Sequence, residues 1–126
     1  MDYPVRVLDE IKDLDVPELL AVDPGLGRVL AKLVRDLHFD PWLGQEMRER
    51  LRLEVLKDCR KVSFDLPSRR AKPRFRLVYR NDPSDGSIAL ITVIAAGPRA
   101  DLEAYRRAAT RLGHQRRDRR GPRPSR

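Results

Sequence analysis

Lys61-Val62-Ser63-Phe64-Asp65-Leu66 and, after a polar loop, Arg74-Phe75-Arg76-Leu77-Val78-Tyr79-Arg80 are the stretches that decide the fold. In the first, Val62, Phe64 and Leu66 alternate with Lys61, Ser63 and Asp65. In the second, Phe75, Leu77 and Tyr79 alternate with Arg74, Arg76, Val78 and Arg80. A period of two marks strands with one apolar and one polar face. Asn81-Asp82-Pro83-Ser84-Asp85-Gly86 then reads as a hairpin turn, and Ser87–Gly97 follows as the most apolar strand, expected at the centre of the sheet. Three consecutive strands joined by short loops predict an antiparallel meander.

Towards the N-terminus the period lengthens. Leu26, Val29, Leu30, Leu33, Val34 and Leu37 fall at helical spacing, with Arg28, Lys32, Arg35 and Asp36 on the other side, and Asp40-Pro41 ends the helix. Met47, Leu51 and Val55 predict a second helix from Gly44 to Lys57, so that the two form a hairpin. Residues 9–25 carry less signal: Asp15 is placed to cap a short helix containing Leu19 and Leu20, and Asp23-Pro24-Gly25 is a turn. Tyr3, Val5 and Val7 suggest an edge strand, where Pro4 can spare its donor. Beyond the meander, Gly97-Pro98 breaks the last strand, and Asp101 is expected to cap a helix running to Leu112.

The expected fold is therefore α+β. An antiparallel sheet of about four strands carries an N-terminal helical hairpin on one face and a short C-terminal helix, while the other face stays wet. Residues 1–113 are expected to form a single domain, and residues 114–126 a basic, disordered tail.

Composition narrows the function. Of the net charge of +8, the segment His114–Arg126 supplies six arginines against Asp118, a net +5, which leaves +3 for the body. The tail should raise affinity for any polyanion in a salt-dependent way. Arginine outnumbers lysine by 22 to 5, which suits bidentate phosphate contacts but is attributed mostly to a GC-rich genome. Cys59 alone can form no internal disulfide and, at the end of an expected helix, reads as a semi-buried inert thiol. No secretory leader is read at Met1-Asp2-Tyr3-Pro4, and the longest apolar run, Ile88–Ala96, is too short to span a bilayer. A cytoplasmic protein without membrane partners is expected. His38 and His114 with one cysteine make no metal set and no triad, and no Gly-rich phosphate loop is present, so neither metal nor cofactor is expected.

What the polar face offers is cations. Alternation sends Lys61, Arg74, Arg76 and Arg80 to one face with Ser63 and Asp65, where a phosphodiester could be held. The ordinary reading of such a face is a solvated surface. Arg99, past the end of the apolar strand, and Tyr105, one turn into the last helix, could converge near the strand end; Tyr105 also fits a packing stripe with Leu102, Ala109 and Leu112.

Cys59 to Asp65, Pro73 to Tyr79, Ala96-Gly97-Pro98-Arg99, Glu103-Ala104-Tyr105 and Ala108 to Leu112 together resemble the RelE/ParE toxin superfamily of type II toxin–antitoxin systems, in its RelE-like branch. The resemblance covers residues 26–112 and implies the same element order. It also implies an mRNA interferase that cuts mRNA in the A site of the 70S ribosome. The ribose 2′-OH attacks the neighbouring phosphate without a metal, giving a 2′,3′-cyclic phosphate. Carried over by motif position, Lys61 and Arg76 would stabilise the phosphate, Arg99 would stand near the leaving group as an acid or as charge support, and Tyr105 would be the base, helped by neighbouring cations that favour a phenolate. Arg74, Arg80 and Ser63 would contact RNA. Ser63 departs from the pattern, because a second lysine often stands there, and Arg74 could compensate. The implied partners are a cognate antitoxin, with which the chain would bind operator DNA, and the ribosome.

Two other readings stay open. One is a non-catalytic protein on the same scaffold, either a ParE-like gyrase inhibitor or a degenerate member acting in co-repression. The other is a plain RNA- or ribosome-binding protein driven by the basic tail.

Overall fold

The computed structural model describes residues 2–47 and 54–119. Strands β1 (Val5–Val7), β2 (Gln45–Glu46), β3 (Cys59–Phe64), β4 (Phe75–Asp82) and β5 (Leu90–Pro98) form one sheet in the order β1-β5-β4-β3-β2. The meander β3-β4-β5 is antiparallel throughout, as its alternation predicts. The sheet as a whole is mixed, because β1 runs parallel to β5, with Val5 opposite Ile91 and Val7 opposite Val93. It also gains a fifth strand, the short β2 beside β3.

A helical hairpin is present, but its position along the chain differs from the expected one. A wide π turn, Ile11–Asp15, runs into α1 (Val16–Val22), and α2 (Pro24–Leu37) follows directly. Asp23 makes the corner: its backbone is extended, its carboxylate accepts from the Gly25 N–H at 2.8 Å, and Pro24 occupies the first turn of α2. Where a second helix was expected from Gly44, the chain instead pairs with β3 through Gln45 and Glu46. The cause is a clamp on the preceding loop. The buried Tyr79 hydroxyl donates to Pro41 O and accepts from the Gly44 N–H, both at 2.8 Å, and Asn81 Nδ2 donates to Pro41 O at 2.9 Å. Gly44 lies so close to β4 that a Cβ there would stand 2.8 Å from the Tyr79 ring. Residues 48–53 of the expected helix, Leu51 among them, lie outside the described residues, and Glu54–Leu56 form a single tight turn.

Register sorts the side chains into two faces. Arg60, Val62 and Phe64 share one face with Tyr79, Leu77 and Phe75; Cys59, Lys61 and Ser63 share the other with Arg80, Val78 and Arg76. The first face joins Leu19, Leu26, Leu30 and Leu37 of the hairpin in the core. The second face is not left wet. Helix α3 (Glu103–Arg119) packs against it through Ala104, Tyr105, Ala108 and Leu112, and Val78 and Ala95 beneath are fully buried. Alanines at 104 and 108 let the helix sit close to the sheet. The helix passes the expected boundary at Gly113 and continues to Arg119. Among the described residues no helix is long and apolar enough to cross a membrane.

A candidate phosphate site between the sheet and the last helix

Four residues are expected to hold or attack a phosphate: Lys61 and Arg76 lie on the α3 face of the sheet, Tyr105 packs onto that face from α3, and Arg99 follows the end of β5. Ser63, Arg76 and Gly97 are successive cross-strand partners on β3, β4 and β5, and Lys61 is one step along the same face, opposite Val78. Lys61 Nζ lies 5.9 Å from the centre of the Tyr105 ring, close enough for a cation–π contact. Arg99 is exposed just past β5, and its N–H donates to Arg74 O at 2.7 Å, which ties the end of β5 to the start of β4. Arg76 folds its Nη1 back onto the carbonyls of Pro73 and Phe75, at 3.1 and 2.9 Å. Among the described residues none of Lys61, Arg76 and Arg99 is paired with a carboxylate. Tyr105 is only 7% exposed, so a substrate could meet little more than one edge of it.

The remaining expected contacts divide differently. Ser63 is exposed on the face. Arg74 is engaged by Asp65, whose carboxylate accepts from Arg74 Nε, Nη2 and backbone N–H, each at 2.9 Å. Those bonds, the Arg74 side chain first, hold the Asp65 carboxyl well below the usual carboxylate range, against an opposing effect of burial. Arg80 pairs with Asp82 at 3.0 Å. Neither arginine is a free cation. Cys59 is buried, and burial pushes its thiol up to about 12, so it is no nucleophile near neutral pH.

The link between Arg99 and Tyr105 is bent sharply. Asp101 and Leu102 are consecutive non-glycine residues with φ of 55° and 58°, in the left-handed region that L side chains avoid. Asp101 therefore does not cap α3: it lies inside the tight turn Ala100–Leu102, and the helix begins at Glu103. The bend turns the chain from the end of β5 back over the sheet, which is what lets Tyr105 meet Lys61.

Sequence reasoning missed a second cluster. β1 covers the outer edge of β5 only as far as Val93. Beyond it, the Ala96 N–H donates to Asp15 Oδ2 at 2.8 Å, and Ile94 O accepts from Arg111 Nη1 at 3.1 Å. Asp15 is fully buried and holds Arg111 at 2.6 and 2.8 Å and Arg107 at 3.1 Å. The i, i+4 spacing of Arg107 and Arg111 was the available signal, hidden among 22 arginines.

No family model and no curated protein sequence matches this chain. A solved structure does: the E. coli toxin RelE in the free state, carrying two arginine-to-alanine substitutions, is 19% identical with a TM-score of 0.56. The match covers 88% of this chain and 98% of that one. The fold is RelE-like. At this identity the likeness concerns the fold alone. The RelE-like fold therefore frames the cation cluster without assigning it a reaction.

Proposed function

We propose that this chain is a toxin of a type II toxin–antitoxin system that acts as a ribosome-dependent, metal-independent mRNA endonuclease. The observation that carries this reading is Lys61 against the Tyr105 ring, with Arg76 on the same sheet face and Arg99 at its end, all three cations without a carboxylate partner among the described residues. Cations without a carboxylate partner, two of them on strands and one at a strand end, suit the charge that develops on a pentacoordinate phosphate. Tyr105 Oη takes the proton of the ribose 2′-OH, whose oxygen then attacks the adjacent phosphorus. Arg76 and Lys61 stabilise the non-bridging oxygens; as the bond from phosphorus to the 5′-oxygen breaks, Arg99 supports the departing oxygen, which takes a proton from solvent water, leaving a 2′,3′-cyclic phosphate and a 5′-OH. A cognate antitoxin with an acidic, partly disordered segment would cover these cations and restrain the enzyme. With that partner the chain would also bind operator DNA.

The second reading, a non-catalytic protein on this scaffold, draws support from two residues. Ser63 brings no charge to the face, and Asp65 neutralises Arg74, the cation offered in its place. Induced expression in a bacterial host separates the two. The nuclease reading predicts growth arrest with cuts inside translated messages, and recovery of growth in Arg76→Ala and Tyr105→Phe although the proteins accumulate. Arrest that persists in both variants dismisses it, and DNA damage signalling without RNA cuts would indicate gyrase instead.

A further inference from the structure

We infer that Asp15 is a positioning residue for the nuclease reaction: through Arg107 and Arg111 it sets the roll of α3 on the sheet and so the place of the Tyr105 side chain, whose ring lies against Lys61. The inference rests on the reading of Tyr105 as the base.

The apolar contacts of α3 leave its orientation weakly determined. Its buried stripe consists of Ala104, Ala108 and Leu112 with Tyr105 at one side, and alanines have no side-chain shape to lock into a neighbour. At about 100° per residue, Arg107 and Arg111 fall on one flank of that stripe and Tyr105 on the other. Asp15 grips the arginine flank from outside the helix. It accepts Arg111 through both oxygens, at 2.6 and 2.8 Å, and Arg107 through Oδ1 at 3.1 Å. The same carboxylate is anchored to the sheet by the Ala96 N–H, and Arg111 Nη1 reaches Ile94 O, in the stretch of β5 where its pairing register with β4 shifts. Glu18 and Glu103 complete the hold on Arg107, at 2.8 and 2.9 Å. The helix, the sheet edge and the π turn are thus joined at one buried carboxylate.

The lever is short. A side-chain tip lies roughly 5–6 Å from its helix axis, so a roll of roughly 20° moves it by about 2 Å. A misplacement of about 1 Å in a reacting group can cost on the order of a hundredfold in rate. Substrate contacts by Arg76, on β4, would be little affected by such a roll, so turnover should suffer and affinity should not.

The test uses the full chain with programmed ribosomes, measuring kcat and KM for mRNA cleavage together with backbone hydrogen exchange. Asp15→Asn keeps the shape of the buried side chain, and Arg107→Gln changes a residue at the rim. Both should lower kcat at least about tenfold with KM within about twofold, and speed exchange in residues 103–113 while β4 and β5 stay protected. Arg107→Lys should restore most of the lost turnover. An unchanged kcat, equal losses in kcat and affinity, or faster exchange across the whole sheet would overturn the inference. If the wild-type chain cuts no RNA, the nuclease reading fails and takes the catalytic role of Asp15 with it. The exchange measurement still reports separately whether Asp15 holds α3.

Discussion

Asp65 and Arg74 face each other across the loop between β3 and β4 in a bidentate pair, with Nε and Nη2 each 2.9 Å from a separate carboxylate oxygen. The backbone N–H of Arg74 adds a third bond to the same group, and Arg69 approaches it at 3.3 Å. An arginine held in this way organises a loop and offers little charge to a phosphate.

Acid should therefore loosen this corner. The Asp65 carboxyl is held below its ordinary value in the folded chain, chiefly by the Arg74 side chain, so the unfolded chain binds the proton more readily. The stabilisation is fully present above the ordinary carboxylate pKa of about 4 and is lost as pH falls from there through the lower folded value. Thermal melts between about pH 2 and 6 should show Asp65→Asn flattening the low-pH decline relative to wild type; parallel curves would count against the pair. Arg74→Ala, for the same reason, should alter melting more than it alters RNA cleavage.

Tyr79→Phe should destabilise the chain by about 1–3 kcal/mol in denaturant titration. The hydroxyl both donates to Pro41 O and accepts from the Gly44 N–H; its loss strands the buried Gly44 N–H and leaves Pro41 O with the Asn81 donor alone. The phenol is itself pushed up by burial, so it stays protonated and can keep donating at neutral pH. A change within about 0.5 kcal/mol would mean that the clamp does not set the path of the chain after α2.

Much of this architecture could be read from residue order, and the failures share a cause. Alternation in β3, β4 and β5 and helical spacing in Leu26–Leu37 are local patterns, and each appears where it was expected. The start of the expected second helix, at Gln45 and Glu46, is a strand because spacing of apolar residues cannot report the bond from Gly44 to Tyr79, made across 35 positions. Asp15 was read as a helix cap, whereas its partners Ala96 and Arg111 lie 81 and 96 positions away. The polar face was expected to be wet because nothing in the strands foretells that α3 folds back over Val78. Within the candidate site, alternation was enough to put Lys61, Ser63 and Arg76 together. That Arg74 and Arg80 are occupied followed only from the positions of Asp65 and Asp82 in space.

The bend at Asp101 and Leu102 offers a further check. Leu102 is 40% exposed, so truncating it removes little packing, while its φ of 58° costs roughly 1–2 kcal/mol for an L residue. Leu102→Gly should leave stability unchanged or raise it by up to about 1 kcal/mol, after the greater freedom of glycine in the unfolded chain is set against the relief of strain. Leu102→Ile, with a branched Cβ in the same conformation, should lower it. Loss of stability in the glycine variant would contradict the strained corner.

The central claim is that Lys61, Arg76, Arg99 and Tyr105 act on one RNA phosphate, and single-turnover cleavage of mRNA on programmed ribosomes by the purified chain tests it most directly. The account predicts fragments ending in 2′,3′-cyclic phosphate, with rates at least about a hundredfold lower in Arg76→Ala and Tyr105→Phe and nearly unchanged in Arg80→Ala. An intact message, or cutting that proceeds equally well in all three variants, would contradict it.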